Sequence, residues 1–167
     1  MRAIFPGRFQ PFHLGHLHAI MEISKKNYDI IIVVENASES FTKNDPLTAG
    51  ERIEMIWETL REIDLKNYLI VPMKNIENNA EWVNHLKAML PEFHVCFSNN
   101  DLVKMLMENA GITVKPIDFL NREKYQGRII RETIAKNGEW KDLVPEKVYN
   151  FIKSRKIDER IKRLEEM

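Results

Sequence analysis

Four residues near the start of the chain have types and spacing that suit chemistry on phosphate. Arg8, His13, Gly15 and His16 lie within the stretch GRFQPFHLGH, residues 7–16, directly after the apolar run Ala3-Ile4-Phe5. A guanidinium is a fixed planar cation whose donors match phosphate oxygens. Each imidazole can donate a hydrogen bond to a phosphoryl oxygen. Gly7 allows a sharp turn, and Gly15 allows close approach to the backbone. A helix starting after Gly15 would add free N–H groups and its dipole to the attraction for an anion. Together these parts predict a triphosphate cradle. One histidine alone is more often structural; the pair, with a glycine between and an arginine upstream, favours the anion reading. His18 also raises a zinc site. It follows His16 by two residues and so points off the same helical face, and no cysteine or acidic cluster stands nearby.

The elements that must position these residues follow from the apolar pattern. Short apolar runs at residues 3–5, 30–34, 69–71, 95–97 and from 113 predict strands. The run Ile30-Ile31-Ile32-Val33-Val34 is β-branched throughout, as a strand buried on both faces requires. Helices are predicted over residues 14–26, 49–63, about 80–89 and 101–109. Thr48-Ala49-Gly50-Glu51 is a capping box for the second of these. Gly111 ends the fourth, and Pro145 suits the first turn of a later helix. From about Gly127 the chain reads as helical to its end. The charged stretch 153–167 is expected to pack against a neighbouring subunit or to fray.

This alternation implies one α/β domain: a Rossmann-like, doubly wound parallel sheet of about five strands, helices on both faces and a helical C-terminal part over about 127–167. Ligands of such sheets bind beyond the carboxyl ends of the strands. The decapeptide lies there, and the loops 35–42, 73–79 and 98–101 should share its rim.

Composition bounds the partners. The chain has 167 residues, 44% of them apolar, with 25 basic and 25 acidic side chains. That size and apolar share suit one globular domain. The charge balance argues against a dedicated nucleic-acid surface and leaves room for a local basic pocket. The lone Cys96 sits in an apolar run and is expected to be a small buried hydrophobe in a reducing compartment. No stretch is long enough to span a bilayer and no signal-peptide pattern opens the chain, so a cytoplasmic protein is expected.

The motifs also carry a resemblance. His13-Leu14-Gly15-His16 matches the His-x-Gly-His signature of the nucleotidyltransferase superfamily. The longer string from Gly7 to Leu17 resembles the archaeal type of nicotinamide-nucleotide adenylyltransferase. The similarity continues through Asp45-Pro46-Leu47-Thr48-Ala49-Gly50-Glu51-Arg52, Asn79-Ala80-Glu81-Trp82-Val83, Asn121-Arg122-Glu123-Lys124-Tyr125 and Leu143-Val144-Pro145, nearly the whole chain. A class I aminoacyl-tRNA synthetase, which shares the signature, would be far longer. The resemblance implies that the 5′-phosphate of nicotinamide mononucleotide attacks the α-phosphorus of ATP, giving NAD and pyrophosphate, with Mg²⁺ bridging phosphate oxygens. It implies catalytic roles for Arg8, His13 and His16. ATP and phosphate contacts are expected at Gly7, Phe9, Gly15, Ser98, Asn100, Gly127, Arg128 and Arg131. Mononucleotide contacts are expected at Ser40, Asn79 and Trp82, with the indole facing the pyridine ring and the amide reading the carboxamide. Plain packing for Trp82, helix capping for Asn79 and a surface position for Arg131 are the competing readings. The resemblance further implies symmetric homo-oligomers, often hexamers.

Two stretches depart from the family pattern. After the second strand, relatives usually read Gly-Ser-Ala-Gln-x-Ser-His, and here the chain reads Glu35-Asn36-Ala37-Ser38-Glu39-Ser40-Phe41. The late phosphate motif usually carries two hydroxyl residues, and here it is Gln126-Gly127-Arg128-Ile129-Ile130-Arg131. A carboxylate at Glu35 would repel phosphate unless it bound Mg²⁺ or paired with an arginine, for which Arg128 is the candidate. These departures keep two alternatives open: another phosphorylated acceptor for the same transfer, or a non-catalytic, nucleotide-binding regulatory paralogue.

Overall fold

The computed structural model describes residues 1–118 and 120–167. Among the described residues five strands, β1 (Arg2–Gly7), β2 (Asp29–Val34), β3 (Tyr68–Pro72), β4 (Val95–Phe97) and β5 (Thr113–Lys115), form one parallel sheet in the order β3-β2-β1-β4-β5. The central strands alternate their side chains between two cores. Ala3 and Phe5, Ile30, Ile32 and Val34, and Val95 and Phe97 point to one. Ile4, Ile31, Val33 and Cys96 point to the other. That is why β2 is apolar throughout its buried part, Ile30 to Val34.

The first core is covered by α1 (Leu14–Ser24), α2 (Ala49–Glu62), α5 (Gly127–Ala135), α6 (Glu146–Ser154) and α7 (Ile157–Glu166). The second lies under α3 (Trp82–Met89) and α4 (Asp101–Asn109). The capping box at Thr48 and Glu51 is formed as its sequence demands. Cys96 is fully buried, and burial, aided by the nearby Glu35 carboxyl, pushes its thiol up to about 12.

Several local expectations are corrected. The sharp turn falls at Phe9, with φ 53°, whereas Gly7 ends β1 without a positive φ. The third helix starts at Trp82, after a 3-10 turn over Asn79–Glu81 that Asn78, not Asn79, caps. The helical end is broken into three helices and a second 3-10 turn, Lys141–Leu143. The C-terminal stretch does not fray: Ile157 and Ile161 are buried in the first core, and α7 packs on α5 and α6 of its own chain.

The sheet order reverses direction at β1: β2 lies on one side and β4 on the other. The two chains of connections leave from opposite faces there, and a crevice opens above the strand ends.

Candidate active site

His13 and His16 stand beside that crevice and lock each other. His13 is the N-cap of α1, and its Nδ1 accepts from the N–H groups of Gly15 at 3.1 Å and His16 at 3.4 Å. His16 Nδ1 accepts in turn from the His13 N–H at 3.1 Å. Here histidines take the places that a serine and a glutamate fill in an ordinary capping box. The two rings stack with centroids 3.5 Å apart. With both Nδ1 atoms accepting, each Nε2 carries the hydrogen and is a donor. Burial pushes His13 down to about 4, and burial together with the His13 charge holds His16 well below the ordinary range. Both are therefore neutral donors at neutral pH.

Gly15 is required by this lock. A Cβ on it would come within 3.0 Å of the His13 ring and 3.2 Å of Tyr125 Cβ. Phe9 and Phe12 complete the seat: both are buried, Phe9 edge-on to His16 at 4.7 Å and Phe12 stacked on it at 5.6 Å. The Phe9 ring thus belongs to the core and acts by holding His16.

Two clefts meet at the histidines. The larger, about 390 Å³, runs between β1 and the loop after β4 and is lined by Phe5, Pro6, Ser98, Asn99, Asn100, Ile117, Arg122, Tyr125 and Gln126, with His13, Gly15, His16 and Gly127. Asn100 caps α4, and Asn99 spans to the N–H and carbonyl of Ile117. Ser98 accepts from the Asn100 N–H. The smaller, about 210 Å³, is lined by Arg8, Phe9, Gln10, His13, His16, Gly127, Arg128 and Arg131. One cleft is mixed in character and suits a nucleoside. The other is cationic and suits phosphate.

The helix that offers an anion its start is α5, not α1. The first N–H groups of α1 are taken by His13, whereas no side chain caps α5. Its Gly127 permits contact with the decapeptide, since a Cβ there would meet the Gln10 carbonyl oxygen at 2.9 Å. Arg131 donates to that same carbonyl at 2.7 Å.

Arg8 is held by a residue that sequence reasoning passed over. Its Nε and Nη2 donate to Asp45 Oδ1 at 3.1 and 2.8 Å, and Nη2 also reaches the Asn44 carbonyl at 2.8 Å. Arg52, with no exposed surface, ties the two rim loops together: it donates to the carbonyls of Arg8 at 2.8 Å, Glu35 at 2.6 Å and Asn36 at 3.0 Å. Gln10 exchanges two hydrogen bonds with the Leu47 backbone. The one signal for Asp45 and Arg52 in the sequence was their place in a shared family motif.

Glu35 is not balanced by Arg128. Arg128 pairs with Glu132 on its own helix at 3.2 Å, and the cation acting on Glu35 is Arg8. Burial outweighs that attraction and pushes the Glu35 carboxyl up to about 7. Ser40, Asn79 and Trp82 lie outside the two clefts that the histidines line. Ser40 is half-buried, Asn79 is exposed, and Trp82 is half-buried against the second core.

Comparison with known proteins identifies the family. Residues 4–160 match the family described as cytidylyltransferase-like. A nicotinamide-nucleotide adenylyltransferase of Methanococcus aeolicus is 44% identical over 98% of this chain and 95% of its own. Those of Pyrobaculum aerophilum and Saccharolobus solfataricus are 42% and 41% identical, over 92% and 98% of this chain and 88% and 96% of their own. The chain belongs to the nicotinamide-nucleotide adenylyltransferase family, within the cytidylyltransferase-like group. Among solved structures, a bifunctional NMN adenylyltransferase/ADP ribose pyrophosphatase from Francisella tularensis, complexed with AMP and a Mn ion, has the same fold, with a TM-score of 0.78 at 19% identity. The match covers 97% of this adenylyltransferase-family chain and 51% of that one.

Proposed function

We propose that this chain joins ATP and nicotinamide mononucleotide to form NAD and pyrophosphate. An oxygen of the mononucleotide 5′-phosphate forms a bond to the α-phosphorus of ATP, and the bond from that phosphorus to the bridging oxygen breaks, releasing pyrophosphate. No protein nucleophile is needed, so the residues position groups and offset charge. The Nε2–H groups of His13 and His16 donate to phosphate oxygens, and Arg8, Arg128 and Arg131 with the start of α5 hold the β- and γ-phosphates. The wider cleft along Ser98 and Asn100 takes the adenosine. The acceptor lies toward Ser40, Asn79 and Trp82.

Among the described residues no three His, Cys, Asp or Glu side chains come together in a way that could hold a metal ion. In this reading a divalent cation would be held by the triphosphate itself and would offset its charge. No helix among the described residues is long and apolar enough to cross a membrane. The reading is of a cytoplasmic homo-oligomer, whose size light scattering would measure.

The observation that carries this reading is the pair of neutral, mutually locked histidines at the junction of a nucleoside-sized cleft and a cationic one. The test is pyrophosphate release from ATP and Mg²⁺ with nicotinamide mononucleotide, with the nicotinate form in parallel and His16→Ala as control. Release that the substitution abolishes supports the reading. Absence of release with either acceptor, beside measurable ATP binding, sinks it. The half-buried carboxyl of Glu35 on this rim favours one second reading, the same transfer to another phosphorylated metabolite, and a screen of such acceptors follows that outcome.

A further inference from the structure

Arg160 on α7 lies far along the chain from the substrate clefts, yet its guanidinium grips the loop after β2 at two points and the first turn of α2 at a third. Nη1 and Nη2 donate to Glu51 Oε2 and Oε1 at 2.8 and 2.9 Å. Nη1 also donates to the Pro46 carbonyl at 3.0 Å. The guanidinium carbon stands 4.1 Å from the centroid of the Phe41 ring. The ion pair is mostly shielded, with the Arg160 and Glu51 side chains 19% and 16% exposed. A two-pronged pair in such a setting fixes direction as well as distance.

What is gripped matters. Pro46 follows Asp45, the carboxylate that holds Arg8. Glu51 precedes Arg52, which holds the Arg8 backbone. Phe41 has φ 56°, a conformation an aromatic residue keeps only under external restraint, and Arg160 stacks on its ring. Lys43 adds a more exposed tie to Glu165 of the same helix at 2.9 Å.

We propose that Arg160 is a positioning residue of the phosphate cleft: it seats the segment that carries Asp45 and, through Asp45, sets the direction of the Arg8 guanidinium. This rests on the reading that Arg8 binds the phosphates of ATP. Arg160 touches no substrate and acts only through Arg8.

The experiment measures ATP affinity by calorimetry, with Mg²⁺, for the unaltered chain, Arg160→Ala, Arg160→Lys, Arg8→Ala and the Arg8→Ala/Arg160→Ala double variant, with a melting curve for each. Arg160→Ala is expected to weaken ATP binding about tenfold, because a cation in the cleft loses its aim. Arg160→Lys keeps the charge, loses the fork and recovers only part of that affinity. In the Arg8→Ala background, Arg160→Ala is expected to cost less than about twofold more, since the group it acts through is gone. An equal loss in both backgrounds, or none in either, overturns the proposal. If Arg160→Ala does not fold, Glu51→Gln tests the same link, because the amide can still accept from the Thr48 N–H but loses the charge pair. Coupled losses of ATP binding without pyrophosphate release overturn the proposed acceptor and leave the role of Arg160 standing. Release without coupling does the reverse, and no ATP binding by the unaltered chain overturns both.

Discussion

His13 and His16 share one hydrogen-bonding circuit: each ring nitrogen Nδ1 accepts from a backbone N–H at the start of α1, and the rings lie 3.5 Å apart. The circuit has room for no further proton on either Nδ1. Protonating one ring would break a cap and bring a cation against its stacked neighbour. Two histidines placed this way present fixed Nε2–H donors without carrying charge.

This circuit fixes a pH response. In the ligand-free protein the ring resonances of His13 and His16 should show the Nε2–H form and should not move through pH 6.5. Burial holds His13 at about 4 in the folded chain, below its ordinary value of 6.5. The unfolded chain therefore binds the proton first, and in a Glu35→Gln background, which removes the opposing carboxyl, stability should fall as pH drops from 6.5 toward 4. Midpoints of urea unfolding across that range measure it, and a titration of either ring near 6.5 would contradict the assignment.

Removing one donor should be severe for rate. His16→Ala is expected to lower kcat for pyrophosphate release by about 10²–10³, the range seen when one donor to a developing oxyanion is deleted. ATP affinity should change less than kcat. A loss confined to KM would instead mean that His16 binds ground state and transition state alike.

Gly127→Ala should disturb the start of α5, where the two clefts meet. The new methyl would lie 2.9 Å from the Gln10 carbonyl oxygen, a backbone atom that cannot swing aside. Overpacking of this kind costs about 1–3 kcal/mol. The start of α5 should move, and ATP binding should weaken more than the melting temperature falls. Equal ATP affinity in the variant would show that α5 does not touch the phosphates.

Arg52→Met tests the tie between the rim loops. The substitution leaves the carbonyls of Glu35, Asn36 and Arg8 without this donor in a buried place. Stability should drop by about 2–4 kcal/mol, and hydrogen exchange should quicken in residues 35–37. A drop under about 1 kcal/mol would mean that water replaces the guanidinium.

Glu35 should give the opposite pH slope to His13. Its carboxyl is raised to about 7 from an ordinary 4.5, so the folded chain holds the proton more tightly than the unfolded one. Its burial is unopposed below 4.5, and stability should be lost as pH rises from 4.5 through 7. Glu35→Gln should flatten that part of the profile. An unchanged slope in the variant would place the titration elsewhere.

Much of the fold was legible because the sheet is buried on both faces. An unbroken β-branched run such as Ile30 to Val34 suits a central strand and little else, and the Thr48 and Glu51 box marks its helix start from sequence spacing alone. The decapeptide stood out as a candidate site because one arginine, two histidines and two glycines converge in ten residues. What escaped were relationships made across long separations. Asp45 looks like any loop acid until the fold brings Arg8 to it across 37 positions. The expected pairing of Arg128 with Glu35 failed because a helix supplies a nearer partner four residues on, Glu132. The breaks in the helical C-terminal part depended on packing against α2 and α5, which local periodicity does not carry.

The carbonyl partners of Arg52 have a consequence for the solution in which the protein works. Arg52 is shut off from water and is tied to neutral oxygens, so dissolved ions have little access to it and little to compete for. Arg8 stands 43% open and answers to a carboxylate, so ions reach it freely. Salinity therefore acts on the two arginines unequally. A rise in salt would loosen the grip on a polyanion while the frame around it kept its dimensions.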